Sequence, residues 1–256
     1  MDSKVFKGKD GKEYFNLVAQ SGTITTANDP EDLIQSGGTK IFPFIYANTA
    51  SQKAELVYAE CIYSNSTDDI TEVSVIGIDS KMNFLQQTVK LNGVTPVKFL
   101  KPFFRINDII PANNHAFAGY LLVTFEATNT VPKKIFAYLL AGEKFLKDAV
   151  YSPYQNLYID KIQLISGAED VLCTVTINKI IDNSSIGCTL VNSEATRLPI
   201  KYLFFEKPAG QVADGIYEFK NPYCIRPGET LLVTVDGVEG ANSGTTIMRC
   251  NIEGHF

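Results

Sequence analysis

The sequence contains no tryptophan, and its 256 residues include only two histidines, His115 and His255. A proton relay or metal centre needing two imidazoles would have to draw one from a polar loop and the other from the penultimate position, so neither is expected. The five cysteines, Cys61, Cys173, Cys188, Cys224 and Cys250, form no C-x-x-C spacing, which excludes a zinc ribbon and a thioredoxin-like pair. They read as reduced core thiols; Cys173 shares a strand face with Val171, Val175 and Ile177. No run approaches the ~18 apolar residues of a membrane span, and Met1-Asp2-Ser3-Lys4 opens without an apolar h-region. The expectation is a chain with neither membrane span nor signal peptide, folded in a reducing cytosol. Asn65-Ser66-Thr67 and Asn183-Ser184-Ser185 are then polar turns and not glycosylation sites. A one-sided charge is missing as well. The 23 Lys and Arg are scattered among 28 Asp and Glu, net −5, so no basic footprint for direct nucleic-acid binding exists.

Catalytic signatures are also missing. No G-x-S-x-G, H-E-x-x-H or phosphate-loop pattern can be read, and the near miss Gly8-Lys9-Asp10-Gly11-Lys12 is a lysine-rich turn. Ser64-Asn65-Ser66-Thr67-Asp68-Asp69 offers carboxylates and hydroxyls but not the register of a calcium loop, and is expected to be a solvated loop. Glu60, Asp79, Glu126 and Glu206 are single acids on strands, with nothing to pair them for glycoside hydrolysis. His115 reads as a surface residue of a polar loop and His255 as part of a frayed end. No catalytic, cofactor-binding or metal-binding residue is assigned, and no enzyme activity is expected.

What is present is a β pattern. With 45% apolar and 20% charged residues the chain can bury one large core or two modest ones, and alternation of period 2 dominates it. Residues 120–127 set Leu121, Val123, Phe125 and Ala127 on one face and Tyr120, Leu122, Thr124 and Glu126 on the other; Leu231 to Asp236 repeats the pattern. Further strands are expected at 42–47, 55–63, 71–78, 88–91, 136–140, 157–165, 171–177, 198–206 and 245–252, with turn signals such as Asn92-Gly93 and Pro227-Gly228 between them. One short helix is expected over 28–35, with Asp29 as cap, Pro30 in its first turn and Gly37 and Gly38 beyond its end. Asp29, Glu31 and Asp32 then mark a helix start and not a metal site.

Residues 1–40 carry too little apolar surface for a core of their own and read as an extended N-terminal arm, mobile in the free subunit and ordered against neighbours. A polar, proline-marked seam at Asn129-Thr130-Val131-Pro132-Lys133-Lys134 divides the remainder. The expected fold class is therefore all-β: two tandem antiparallel β-sandwiches over residues 41–130 and 131–256, the second jelly-roll-like. Phe103-Phe104 and the run Tyr202-Leu203-Phe204-Phe205 place adjacent bulky residues on opposite strand faces, which hints at a second, exposed apolar surface.

Three segments carry a resemblance: Val75-Ile76-Gly77-Ile78-Asp79; Gln87-Thr88-Val89-Lys90-Leu91-Asn92-Gly93-Val94-Thr95-Pro96-Val97; and Phe103-Phe104-Arg105-Ile106-Asn107. They resemble a family of uncharacterised virion structural proteins of tailed phages, many marine, and some large DNA viruses. In that family a Gly-Leu-Asp strand end, a Thr-Val-x-Leu-Asn-Gly-x-Thr-x-Val hairpin and an Arg-Ile-Asn strand recur in this order. Ala141-Gly142-Glu143 and Tyr151-Ser152-Pro153 resemble a later element, so that the likeness covers residues 70–165; Ala112-Asn113-Asn114-His115-Ala116 stands where the family has a glycine-rich loop. The resemblance implies a non-enzymatic virion structural protein of a bacteriophage-like particle. It would be a minor capsid or decoration subunit, or a head-fibre, portal or tail component. Its partners would be other virion proteins, namely capsid, portal or tail subunits, and further copies of itself in a homo-oligomer. Assembly would run through β-sandwich surfaces and the arm, with no membrane, metal or cofactor. Its location would be the virion, after folding in the host cytoplasm. The alternative is a carbohydrate-binding host-attachment module that takes a host glycan, a reading weakened by the missing tryptophan. A glycan-degrading enzyme would need the carboxylate pair that the sequence does not supply.

Overall fold

The computed structural model of the chain describes residues 4–20, 30–32, 58–124, 135–142, 150–166, 171–181, 196–207, 215–237 and 248–256. Its strands in chain order are β1 (Val5–Lys7), β2 (Glu13–Gln20), β3 (Pro30–Asp32), β4 (Ala59–Ser64), β5 (Glu72–Ile78), β6 (Phe84–Lys90), β7 (Val97–Phe103), β8 (Arg105–Pro111), β9 (Leu121–Thr124), β10 (Ile135–Leu139), β11 (Val150–Tyr151), β12 (Leu157–Ser166), β13 (Val171–Ile181), β14 (Thr196–Lys207), β15 (Gly215–Ile225), β16 (Glu229–Gly237) and β17 (Met248–His255). Among the described residues the one helical element is a 3-10 turn at Ala112–Asn114. The described chain is thus almost entirely β, in antiparallel sheets.

The chain forms two compact units, the first made of Met1–Ser3, Gly37–Leu146 and Ile181–Thr196, the second of Lys4–Ser36, Lys147–Ile180 and Arg197–Phe256. Strand β10, beyond the polar seam at 129–134, pairs with β9 and belongs to the first unit's sheet.

The first unit holds two sheets, ordered β10-β9-β4-β7 and β6-β5-β8. Both feed one buried cluster that includes Ile62 of β4, Val75 of β5, Phe103 of β7, Ile109 of β8, Val123 of β9 and Leu139 of β10. The period-2 rule places these side chains: Leu121 and Val123 are fully buried and Tyr120 is exposed, as the alternation over 120–123 requires, although Thr124 is buried as well. In β8 the rule fails, because all of Arg105–Pro111 is buried or nearly so, Arg105, Asn107 and Asp108 included. Gly77 sits where β5 and β8 shift register, and a Cβ there would lie 1.9 Å from the carbonyl oxygen of Arg105, so only glycine lets the two backbones approach.

The second unit holds a sheet ordered β1-β2-β17-β12-β15 and another ordered β11-β16-β13-β14, with β3 also on β16. Phe15 and Leu17 of β2, Ile252 of β17 and Leu157, Ile159 and Ile162 of β12 are buried, and the Phe15 ring lies 4.5 Å from that of Tyr151 in the other sheet. Three expectations are corrected here. Residues 5–20 are not a free arm but a hairpin integral to this sheet, since Phe15 and Leu17 alternate on one face and find cover. Pro30–Asp32 is a strand antiparallel to β16 and not the first turn of a helix, while Asp29 lies outside the described residues. His255 is not frayed; it lies in β17, in register with Tyr14 on one side and Tyr158 on the other.

Candidate functional site

The segments singled out in the sequence converge on one end of the first unit, where three loops are stitched together. Asp69, in the loop between β4 and β5, is 1% exposed. Its Oδ1 accepts the backbone N–H of Ala118 at 2.8 Å; its Oδ2 accepts that of Gly119 at 2.9 Å and the Ser64 hydroxyl at 2.5 Å. Asn65 Oδ1 accepts the N–H of Tyr120 at 2.7 Å. The Asn92-Gly93 turn closes the third side. Gly93 N–H donates to the carbonyl of Asp69 and Gly93 C=O accepts from Ser64 N–H, both at 2.9 Å. Gly93 has φ +55°, and a Cβ there would lie 2.9 Å from the Thr67 backbone. The solvated loop expected at 64–69 is therefore half right: Asp68 is exposed, but Asp69 is a buried structural anchor whose two oxygens are taken by protein donors.

The turn forms as its sequence dictates, with Thr95 N–H donating to Asn92 C=O at 3.0 Å. The strands beside it do not pair as a ladder, because β6 and β7 run into different sheets. One side chain joins them: the Gln87 amide donates to the Lys101 carbonyl at 2.6 Å and accepts its N–H at 3.1 Å, imitating a neighbouring strand. At the other end of β5, Asp79 Oδ1 accepts the N–H groups of Lys81 at 2.8 Å and Asn83 at 2.9 Å. Burial alone would raise its pKa, but these hydrogen bonds outweigh that and hold the carboxyl below its ordinary value. Arg105 is 4% exposed with its guanidinium 4.5 Å from the centre of the Phe104 ring. Phe103 and Phe104 are both buried, so this aromatic pair does not supply the exposed surface it hinted at.

The remaining candidates scatter. Half-exposed Glu60 lies 3.8 Å from Lys98, and Asp79 is engaged in its turn; Glu206 lies in β14 and Glu126 outside the described residues. Among the described residues no three His, Cys, Asp or Glu side chains come close enough to hold a metal ion. Cys61 and Cys250 are buried free thiols; burial raises both pKa values, that of Cys250 to about 12, which makes them poor nucleophiles. Cys224 is free and half-buried, Cys173 lies in β13, and Cys188 is outside the described residues. Exposed His115 meets Phe117 edge-on.

On the second unit, sequence reasoning missed a row of rings that runs across four strands. Phe6, Tyr14, His255 and Tyr158 are successive cross-strand neighbours. His255 Nδ1 lies 2.8 Å from Asp160 Oδ2, and its ring stacks on Tyr158 at 5.3 Å and 18°, while Phe6 stacks on Tyr14 at 5.8 Å and 22°. Within each pair the rings turn a flat face to each other, so those faces are not open to a sugar ring. The signal that could have located this row is the alternation Tyr14, Asn16, Val18, but its partners lie at the far end of the chain.

No protein-family model and no curated protein sequence matches the chain. Solved structures of infectious bursal disease virus resemble it weakly. The Gt strain structure is 10% identical, covering 99% of this chain and 74% of that one, with a TM-score of 0.26. The Gx strain structure gives 9% identity, coverages of 99% and 72% and a TM-score of 0.24. The crystal structure of that virus's VP2 subviral particle gives 10% identity, coverages of 99% and 73% and the same TM-score of 0.24.

Proposed function

We propose that the protein is a non-enzymatic structural component of a viral particle, built as two β-sandwiches, one per compact unit. One observation carries the reading. The residues of the recurring motifs, Gly77, Asp79, Gly93 and Arg105, are spent on close backbone approach, turn closure and packing of a buried strand. A motif that preserves a scaffold fits a protein whose product is its own shape. The shared cluster of the first unit and the contact of Phe15 with Tyr151 in the second support the sandwich assignment. Leu100 is 97% exposed on edge strand β7, between Lys98 and Lys101, and is the apolar side chain best placed to meet a neighbouring subunit.

The test is mass spectrometry of gradient-purified particles from the infected source cells. The protein is expected in the particle fraction in many copies, and Leu100→Asp, which removes no internal contact, is expected to lower its incorporation without changing its melting temperature. Recovery only in the soluble fraction would overturn the reading. Binding of the isolated chain to a glycan array would favour the host-attachment alternative.

A further inference from the structure

We propose that Asn92-Gly93 is a modification site gated by the fold: it deamidates when the loop cluster opens and is protected while the cluster is closed. The inference is independent of the virion reading. An asparagine followed by glycine is chemically labile, because no side chain hinders the glycine nitrogen as it approaches the asparagine amide carbon. In the reaction the Gly93 nitrogen gives up its proton to solvent and bonds to Asn92 Cγ. The Cγ–Nδ2 bond breaks and ammonia leaves, forming a cyclic imide. Water then opens that ring to aspartate or, by attack at the other carbonyl, to isoaspartate.

The Asn92 side chain is exposed, so solvent reaches the leaving group. The nucleophile is withheld. Gly93 N–H donates to the Asp69 carbonyl, Gly93 C=O accepts from Ser64, and the Gly93 α-carbon is packed on the Thr67 backbone. The Asn92–Gly93 peptide unit is held by its N–H on Asp69 and by its carbonyl, which accepts from Thr95 N–H, and the next unit is held by Ser64, so the Gly93 nitrogen cannot swing toward Cγ without release of the 64–69 loop, which Asp69 ties to Ala118 and Gly119. An isoaspartate at position 92 would lengthen the backbone inside a turn whose neighbours, Leu91 N–H to Thr71 and Gly93 N–H to Asp69, must close together. A chain so modified could not rebuild the cluster, and the opening would be recorded irreversibly.

The experiment incubates the full chain in mildly alkaline buffer, folded or in concentrated urea, and follows the peptide containing Asn92 by mass spectrometry. Deamidation in the folded sample is expected to be slower by at least ~10-fold. Equal rates overturn the proposal. An Asp69→Asn variant that remains folded by circular dichroism is expected to deamidate at a rate between the two, and a rate equal to that of the folded wild type would show that the loop does not gate Gly93. Should that variant not fold, the wild-type comparison alone decides. After dilution from urea, isoaspartate is expected to accumulate in the fraction that fails to refold, and full refolding of modified chains would refute its blocking role.

Discussion

Asp69 and Asp79 flank β5 and do the same chemical work, gathering backbone N–H groups, over very different reaches of chain. Asp79 serves Lys81 and Asn83, within four residues of itself, at the surface. Asp69 serves Ala118 and Gly119, 49 and 50 residues away, and is almost fully buried. When a surface cap is lost, water replaces it; when a buried acceptor is lost, its donors are orphaned in a place water does not reach. Residue type therefore identifies a turn, whereas tertiary reach decides how much of the fold depends on it.

The sharpest way to break this comparison is Asp69→Ala, which is expected to cost ~3 kcal/mol in urea denaturation because it strands the buried Gly119 N–H and the buried Ser64 hydroxyl and releases the part-buried Ala118 N–H. A cost no greater than that of Asp79→Ala would end the distinction. Gly119→Ala should cost ~2 kcal/mol, since its Cβ would lie 2.3 Å from Asn65 Oδ1, which can move away only by giving up the Tyr120 N–H. Combined with Asp69→Ala it should cost less than the sum, because the added methyl displaces the Ser64 hydroxyl that Asp69 otherwise holds, so the two changes disturb one shared cluster. Asp79→Ala should cost ~1 kcal/mol, as loss of a local side-chain cap does. The smallest effect is on acid stability. The folded pKa of Asp79 is depressed, so its contribution is present above the ordinary carboxylate range and is lost as pH falls through the depressed value. The stability gap between wild type and Asp79→Asn should therefore narrow between neutral pH and about pH 2.5, measured as urea midpoints.

The same division governs what could be read in advance. Strands β5, β9, β12 and β16 were legible from the period-2 pattern of their sequence, as was the Asn92-Gly93 turn, because both signals are local. β8 was not legible as a strand from its pattern: both its faces are covered, so Arg105, Asn107 and Asp108 interrupt an alternation that burial does not require. The anchoring role of Asp69 was invisible because its donors are backbone groups of a distant loop. Residues 5–20 read as an arm when their apolar content is weighed alone, whereas Phe15 and Leu17 need only one covered face, which β17 and β11 help to supply.

The pairing of β2 with β17 also bears on the order of synthesis. A ribosome releases the β1–β2 hairpin early, yet the strand it must sit beside is made only after nearly all the described chain has followed. Strands β4 to β10 are contiguous in sequence and can collapse on one another meanwhile. The nascent hairpin must wait as an unpaired, sticky ribbon until Met248–His255 emerges, so slow translation or early arrest would expose a strand edge to any chain nearby.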